Sequence, residues 1–158
     1  MGVYLNPSSK LFENTINSEI YVDKSGLLNF TNSRINTTGN CICVSRPRRF
    51  GKTTGLNMLA AYYGCKNDAK RIFNGLKVNG EGEYANQFNV IKLNALTFFQ
   101  NADTIEEALN TLSQQVMHDM KREYSEIDFS VCKTLIDYCN EIYYVTKKLC
   151  RKYFVSGY

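Results

Sequence analysis

The chain has 158 residues, 44% of them apolar and 22% charged, with a formal net charge of +4. That balance supplies a buried core and excludes wholesale disorder, and the length fits one domain of about 100 to 200 residues. No run reaches the roughly 18 consecutive apolar residues of a membrane span, and MGVYLNPSSK lacks the basic-then-apolar order of a secretion signal, so a cytoplasmic protein with no membrane partner is expected.

Residues 1–39 read as an irregular N-terminal arm that contains EIYVDKSGLLNF and ends in the polar TNSRINTTGN. Met1-Gly2 opens like a myristoylation site, but Asn6 stands where that motif needs Ser or Thr. CICVS, 41–45, is a short run of β-forming apolar residues between a polar turn and Arg-Pro, which predicts a buried strand. Leu56, Leu59, Ala60 and Tyr63 then fall at i, i+3, i+4 and i+7, so a helix with one apolar face is expected after Lys52, stopped by Gly64. NGEGEY predicts an exposed turn, and NVIKL, 89–93, a second strand.

Thr104 with Glu107 three positions later forms a capping-box pattern, and Ile105, Ala108, Leu109, Leu112, Val116 and Met120 continue the helical stripe. A third helix is expected over about 130 to 150, where Val131, Leu135, Tyr138, Ile142, Val145 and Leu149 recur at alternating steps of four and three. About three heptads favour a face packed on a sheet over a coiled coil. Strand, loop, helix and strand in this order begin an α/β fold. No repeat or low-complexity linker intervenes, so the chain divides into the arm, 1–39, and an α/β domain, 40–158. The six cysteines, at 41, 43, 65, 132, 139 and 150, make no CxxC pair and are expected to stay reduced and packed as small apolar side chains.

The chemistry concentrates in RPRRFGKTT, 46–54. A nucleoside triphosphate is held by backbone N–H groups of a tight loop at a helix N-terminus, in the pattern G-x-x-x-x-G-K-[ST]. Gly51, Lys52 and Thr53 match its second half, between a predicted strand and a predicted helix, while Arg46 stands at the first glycine. In that pattern Gly51 lets the backbone approach the phosphates, Lys52 reaches the β- and γ-phosphates, and the Thr53 hydroxyl ligates Mg²⁺. The composition of the loop does not separate ATP from GTP.

NSEIYVDKSGLL followed by CICVSRPRRFGKTTGLNMLAAYY resembles the AAA-ATPase-like family, whose members carry Y-V-D-K-T ahead of S-R-P-R-R-F-G-K-S/T. The resemblance is strongest from Asn17 to Tyr63, and it makes Arg46 a family variant of the Walker A loop. It implies a partial P-loop NTPase-like three-layer sandwich of parallel strands with flanking helices, with ATP and Mg²⁺ as ligands. It also implies a nucleotide-binding set of Arg46, Arg48, Arg49, Phe50, Gly51, Lys52, Thr53 and Thr54. Members of the family usually continue into a strand ending in Asp-Glu, the Walker B element, and many then carry a domain similar to PD-(D/E)XK nucleases. Here CRKYFVSGY holds no acidic pair; Tyr153, Phe154 and Val155 read as the start of such a strand, so a chain truncated before Walker B is expected. Asp137 lies in a helical pattern and does not substitute. No catalytic residue is assigned, and hydrolysis by this chain alone is expected to be slow or absent.

Asp23 and Lys24 carry two readings, support of the nucleotide loop or a structural turn ahead of Leu27-Leu28. His118, the only histidine, has no second ligand at metal spacing and reads as a surface position. Asp103, Glu106 and Glu107 complement a helix dipole. Lys147, Lys148, Arg151 and Lys152, interleaved with Tyr143, Tyr144 and Tyr153, suit a solvated helix end or contact with a nucleic-acid backbone. Besides the ATP-binding reading, a nucleic-acid-binding or interaction module and an inactive gene remnant stay open. Oligomeric state is not legible.

Overall fold

A computed structural model describes residues 2–45, 47, 49–147 and the backbone of 150–155. The protein is a mixed helix and strand structure with two compact units, residues 8–87 and residues 1–7 with 88–158. Arg46, Arg48, Lys148 and Leu149 lie outside the described residues.

The unit of residues 8–87 is built from four helices, α1 (Lys10–Ile16), α2 (Leu27–Asn32), α3 (Lys52–Tyr63) and α4 (Ala69–Ile72). The expected irregular arm therefore contains α1 and α2. The predicted helix after Lys52 is α3, but its burial differs from a single apolar stripe: Met58 through Tyr63 are all buried, around the full circumference of the helix. Two consecutive tyrosines make this tolerable, because each phenol has a polar partner for its tip. The Tyr63 hydroxyl lies 2.7 Å from the Thr31 hydroxyl and donates to Asn32 Oδ1 at 2.6 Å, and Asn32 Nδ2 donates to the Tyr62 hydroxyl at 3.4 Å. The two tyrosine rings pack edge-on, Tyr62 also meets Phe73 edge-on at 5.5 Å, and Phe12 lies tilted against Phe73 at 5.2 Å. Burying each such aromatic contributes about 1.5 to 3 kcal/mol.

The predicted strand at 41–45 does not form; Cys41 to Ser45 are irregular and exposed. A strand needs a second strand for its N–H and C=O groups, and no described segment of residues 8–87 supplies one. The expected packing of the cysteines is corrected at the same place, since the Cys41 and Cys43 thiols are exposed, while Cys65, Cys132 and Cys139 are partly buried.

The second unit contains β1 (Asn89–Asn94), α5 (Ala95–Phe99), α6 (Ile105–Glu123), α7 (Leu135–Thr146) and β2 (Cys150–Val155). β1 is the predicted NVIKL strand. It pairs in parallel with β2, Asn89 opposite Cys150 through Asn94 opposite Val155. Its alternate residues pair with the N-terminal segment, where Leu5 bridges Ile91 antiparallel, the Asn6 N–H donates to the Val90 carbonyl and the Lys92 N–H to the Tyr4 carbonyl. The buried Asn6 also bonds through its side chain to Val90 N–H and Asn89, and the Tyr124 hydroxyl donates to Asn89 Oδ1.

α6 begins where Thr104 accepts the Glu107 N–H, but the Glu107 carboxylate reaches one residue further back, to the Asp103 N–H. Ala108, Leu112, Val116 and Met120 enter the core with Ile91, Leu93, Tyr138 and Ile142, whereas Ile105 and Leu109 face solvent. α7 is shorter than expected. A reciprocal capping box between Thr134 and Asp137 starts it, which leaves Val131 outside the helix and 82% exposed, and Lys147 in a left-handed conformation ends it.

One interaction here has no sequence signature. Asp119, on the buried side of α6, accepts the N–H groups of Tyr4 and Leu5 at 2.8 and 2.9 Å and so ties the N-terminal segment down beside β1. Asp119→Ala leaves two N–H groups without their acceptor and is expected to lower the unfolding free energy by about 2 kcal/mol. Urea denaturation of the full chain measures this; an unchanged midpoint contradicts it.

Candidate functional site

The buried half of α3 fixes the direction of the helix, and its first turn is left at the surface with the loop before it. Gly51 is the N-cap residue, with φ 79° and ψ 24°, a left-handed conformation that glycine adopts without the steric cost of a Cβ. The first helical bond runs from the Gly55 N–H to the Gly51 carbonyl at 2.9 Å. The first turn lies at the positive end of the helix dipole. Such an end accepts an anion.

Lys52 is half-buried at the start of α3, and its ammonium donates to the Pro47 carbonyl at 3.1 Å. Thr53 is exposed and Thr54 half-buried, both on the first turn. Arg49 has φ 68° and is exposed, and Phe50 is 62% exposed. Six of the eight expected binding residues are therefore consecutive at one helix end; Arg46 and Arg48 lie outside the described residues. An open groove of about 440 Å³ runs beside α2 and 41–45 and is lined by none of residues 49–54.

Asp23 and Lys24 contact different parts of the chain. The Asp23 carboxylate accepts the Ser25 N–H at 2.7 Å and the Lys77 N–H at 2.8 Å, and the buried Ser25 hydroxyl accepts the Val78 N–H at 3.1 Å. Asp23 is thus a structural clamp between 23–25 and 77–78. Lys24 turns the other way, and its ammonium donates to the Phe50 carbonyl at 3.2 Å. Partial burial pushes the Asp23 carboxyl up, but the N–H donors of Lys77 and Ser25, the Ser25 hydroxyl and the Lys77 charge together outweigh it and hold the carboxyl below its ordinary value.

The residues present fit a phosphate better than a protein-held metal. Lys52 and Thr53 supply an ammonium and a hydroxyl on the first turn of α3, while among the described residues no group of three or more His, Cys, Asp or Glu is placed to hold a metal ion. A Mg²⁺ ion here would take Thr53 and phosphate oxygens as ligands. His118 is exposed on α6. In the basic C-terminal cluster the Lys147 ammonium sits 4.6 Å over the Tyr144 ring; Lys148 and the side chains of Arg151, Lys152 and Tyr153 lie outside the described residues. No helix among the described residues is long and apolar enough to cross a membrane.

A family model for the AAA-ATPase-like family, described as "Predicted AAA-ATPase", matches residues 10–153. No match is found among curated proteins or solved structures.

The Asp23 clamp generates a pH prediction. Its folded carboxyl lies below the ordinary value of 3.8, so its stabilisation is present above that value and is lost as pH falls through the lower folded one. Asp23→Ala is expected to destabilise the chain by about 1 kcal/mol at neutral pH, with the gap to wild type narrowing on acidification. Unfolding free energies measured across an acid series check this, and a gap that stays constant contradicts it.

Proposed function

The chain belongs to the AAA-ATPase-like family of predicted AAA-ATPases, and we propose that residues 49–54 bind the triphosphate of ATP with Mg²⁺. The observation that carries the reading is the left-handed Gly51 at the N-terminus of a 12-residue helix, followed at once by Lys52 and Thr53. Gly51 keeps the backbone open to the phosphates. The N–H groups of Lys52, Thr53 and Thr54 donate to their oxygens, and Lys52 exchanges the Pro47 carbonyl for the β- and γ-phosphates. Arg46 and Arg48 add charge to this degenerate Walker A loop, as the resemblance implies.

Mg²⁺, when bound, offsets the negative charge of the phosphates; Thr53 is the side chain that holds it. Rapid hydrolysis requires in addition a carboxylate to support the metal and place the attacking water. Residues 49–54 supply no such carboxylate, so nucleotide binding is the activity proposed here.

Calorimetric titration of the full chain with Mg-ATP tests it. Saturable binding is expected, weakened at least about tenfold by Lys52→Ala, the scale of one charge-assisted hydrogen bond. GTP under the same conditions reads the base preference. A folded wild-type chain that releases no binding heat and shows no saturation by equilibrium dialysis contradicts the proposal.

A further inference from the structure

We propose that Lys24 is a positioning residue of the phosphate loop: its ammonium holds the Phe50 carbonyl and thereby turns the Gly51 N–H toward the bound anion. This inference rests on the reading of 49–54 as a phosphate-binding loop and extends it to a residue 26 positions upstream of Phe50.

Two observations converge on the same peptide unit. The Lys24 ammonium lies 3.2 Å from the Phe50 oxygen. A Cβ placed on Gly51 would lie 3.0 Å from that same nitrogen. Gly51 is therefore held by its own backbone conformation, φ 79°, and by the close approach of Lys24 on its side-chain face. The peptide between Phe50 and Gly51 is trans, so its C=O and N–H point to opposite sides of the chain. A cation fixed on the oxygen fixes the direction of the N–H.

The fold gives Lys24 little freedom at its backbone. Asp23 before it is clamped to the Lys77 N–H, and Ser25 after it is buried and bonded to the Val78 N–H. The lysine is carried between two anchored neighbours, with its exposed side chain laid across to the loop. Lys52 treats the Pro47 carbonyl in the same way, at 3.1 Å. Carbonyl oxygens repel phosphate, and two ammonium groups occupy two of those in this loop. Lys52 leaves its carbonyl for the ligand; Lys24 stays.

Lys24→Ala and Lys24→Arg in the full chain test this, with the thermal midpoint as the control for folding. The first readout needs no nucleotide: in ¹⁵N-edited NMR of the free protein, Lys24→Ala is expected to shift and broaden the Gly51 amide, and Lys24→Arg to leave it near its wild-type position. The second is Mg-ATP affinity, expected to fall about tenfold in Lys24→Ala and to recover in Lys24→Arg at an unchanged midpoint. A Gly51 amide indifferent to Lys24→Ala overturns the proposal, as does full Mg-ATP affinity in Lys24→Ala when Lys52→Ala has lost it. If wild type binds no Mg-ATP yet the Gly51 amide responds to Lys24→Ala, the Lys24 contact stands and the nucleotide reading of the loop fails.

Discussion

Burial of Met58–Tyr63 is the constraint on which the unit of residues 8–87 rests. The second half of α3 packs with Phe12, Phe73 and its own two tyrosines, and this holds the first turn in one direction. The hydroxyl bonds from Tyr62 and Tyr63 to Thr31 and Asn32 tie α2 to the same end. A short surface loop of glycine, lysine and threonine has little stability of its own. Here it inherits its geometry from the apolar end of the helix that follows it.

That division of labour explains what the sequence made legible. Gly51, Lys52 and Thr53 are recognisable because phosphate binding at a helix end demands these residue types in this order, and β1, α6 and its Thr104 cap because period and capping are local. CICVS has every local property of a buried strand, yet strand formation is a pairing property, and no second strand exists among the described residues of its unit. For α3, the spacing of Leu56, Leu59, Ala60 and Tyr63 describes one face, whereas burial of Tyr62 depends on Asn32, thirty residues away, meeting its hydroxyl.

Asp119 and Lys24 mark the other limit. Both act across long stretches of sequence, Asp119 on Tyr4 and Leu5, Lys24 on Phe50, and no spacing rule joins such partners. Asp119 resembles any acidic residue late in an amphipathic helix. YVDK gives no local reason to separate Asp23 from Lys24. In the structure Asp23 closes the turn with Lys77, and the Lys24 ammonium reaches the Phe50 carbonyl.

Binding of a nucleotide's phosphates by the backbone at the start of α3 is visible to amide chemical-shift mapping of the full chain during a Mg-ATP titration. The largest saturable shifts are expected on Gly51, Lys52, Thr53 and Thr54. Saturable shifts confined to other residues, with these four amides unmoved, would contradict it.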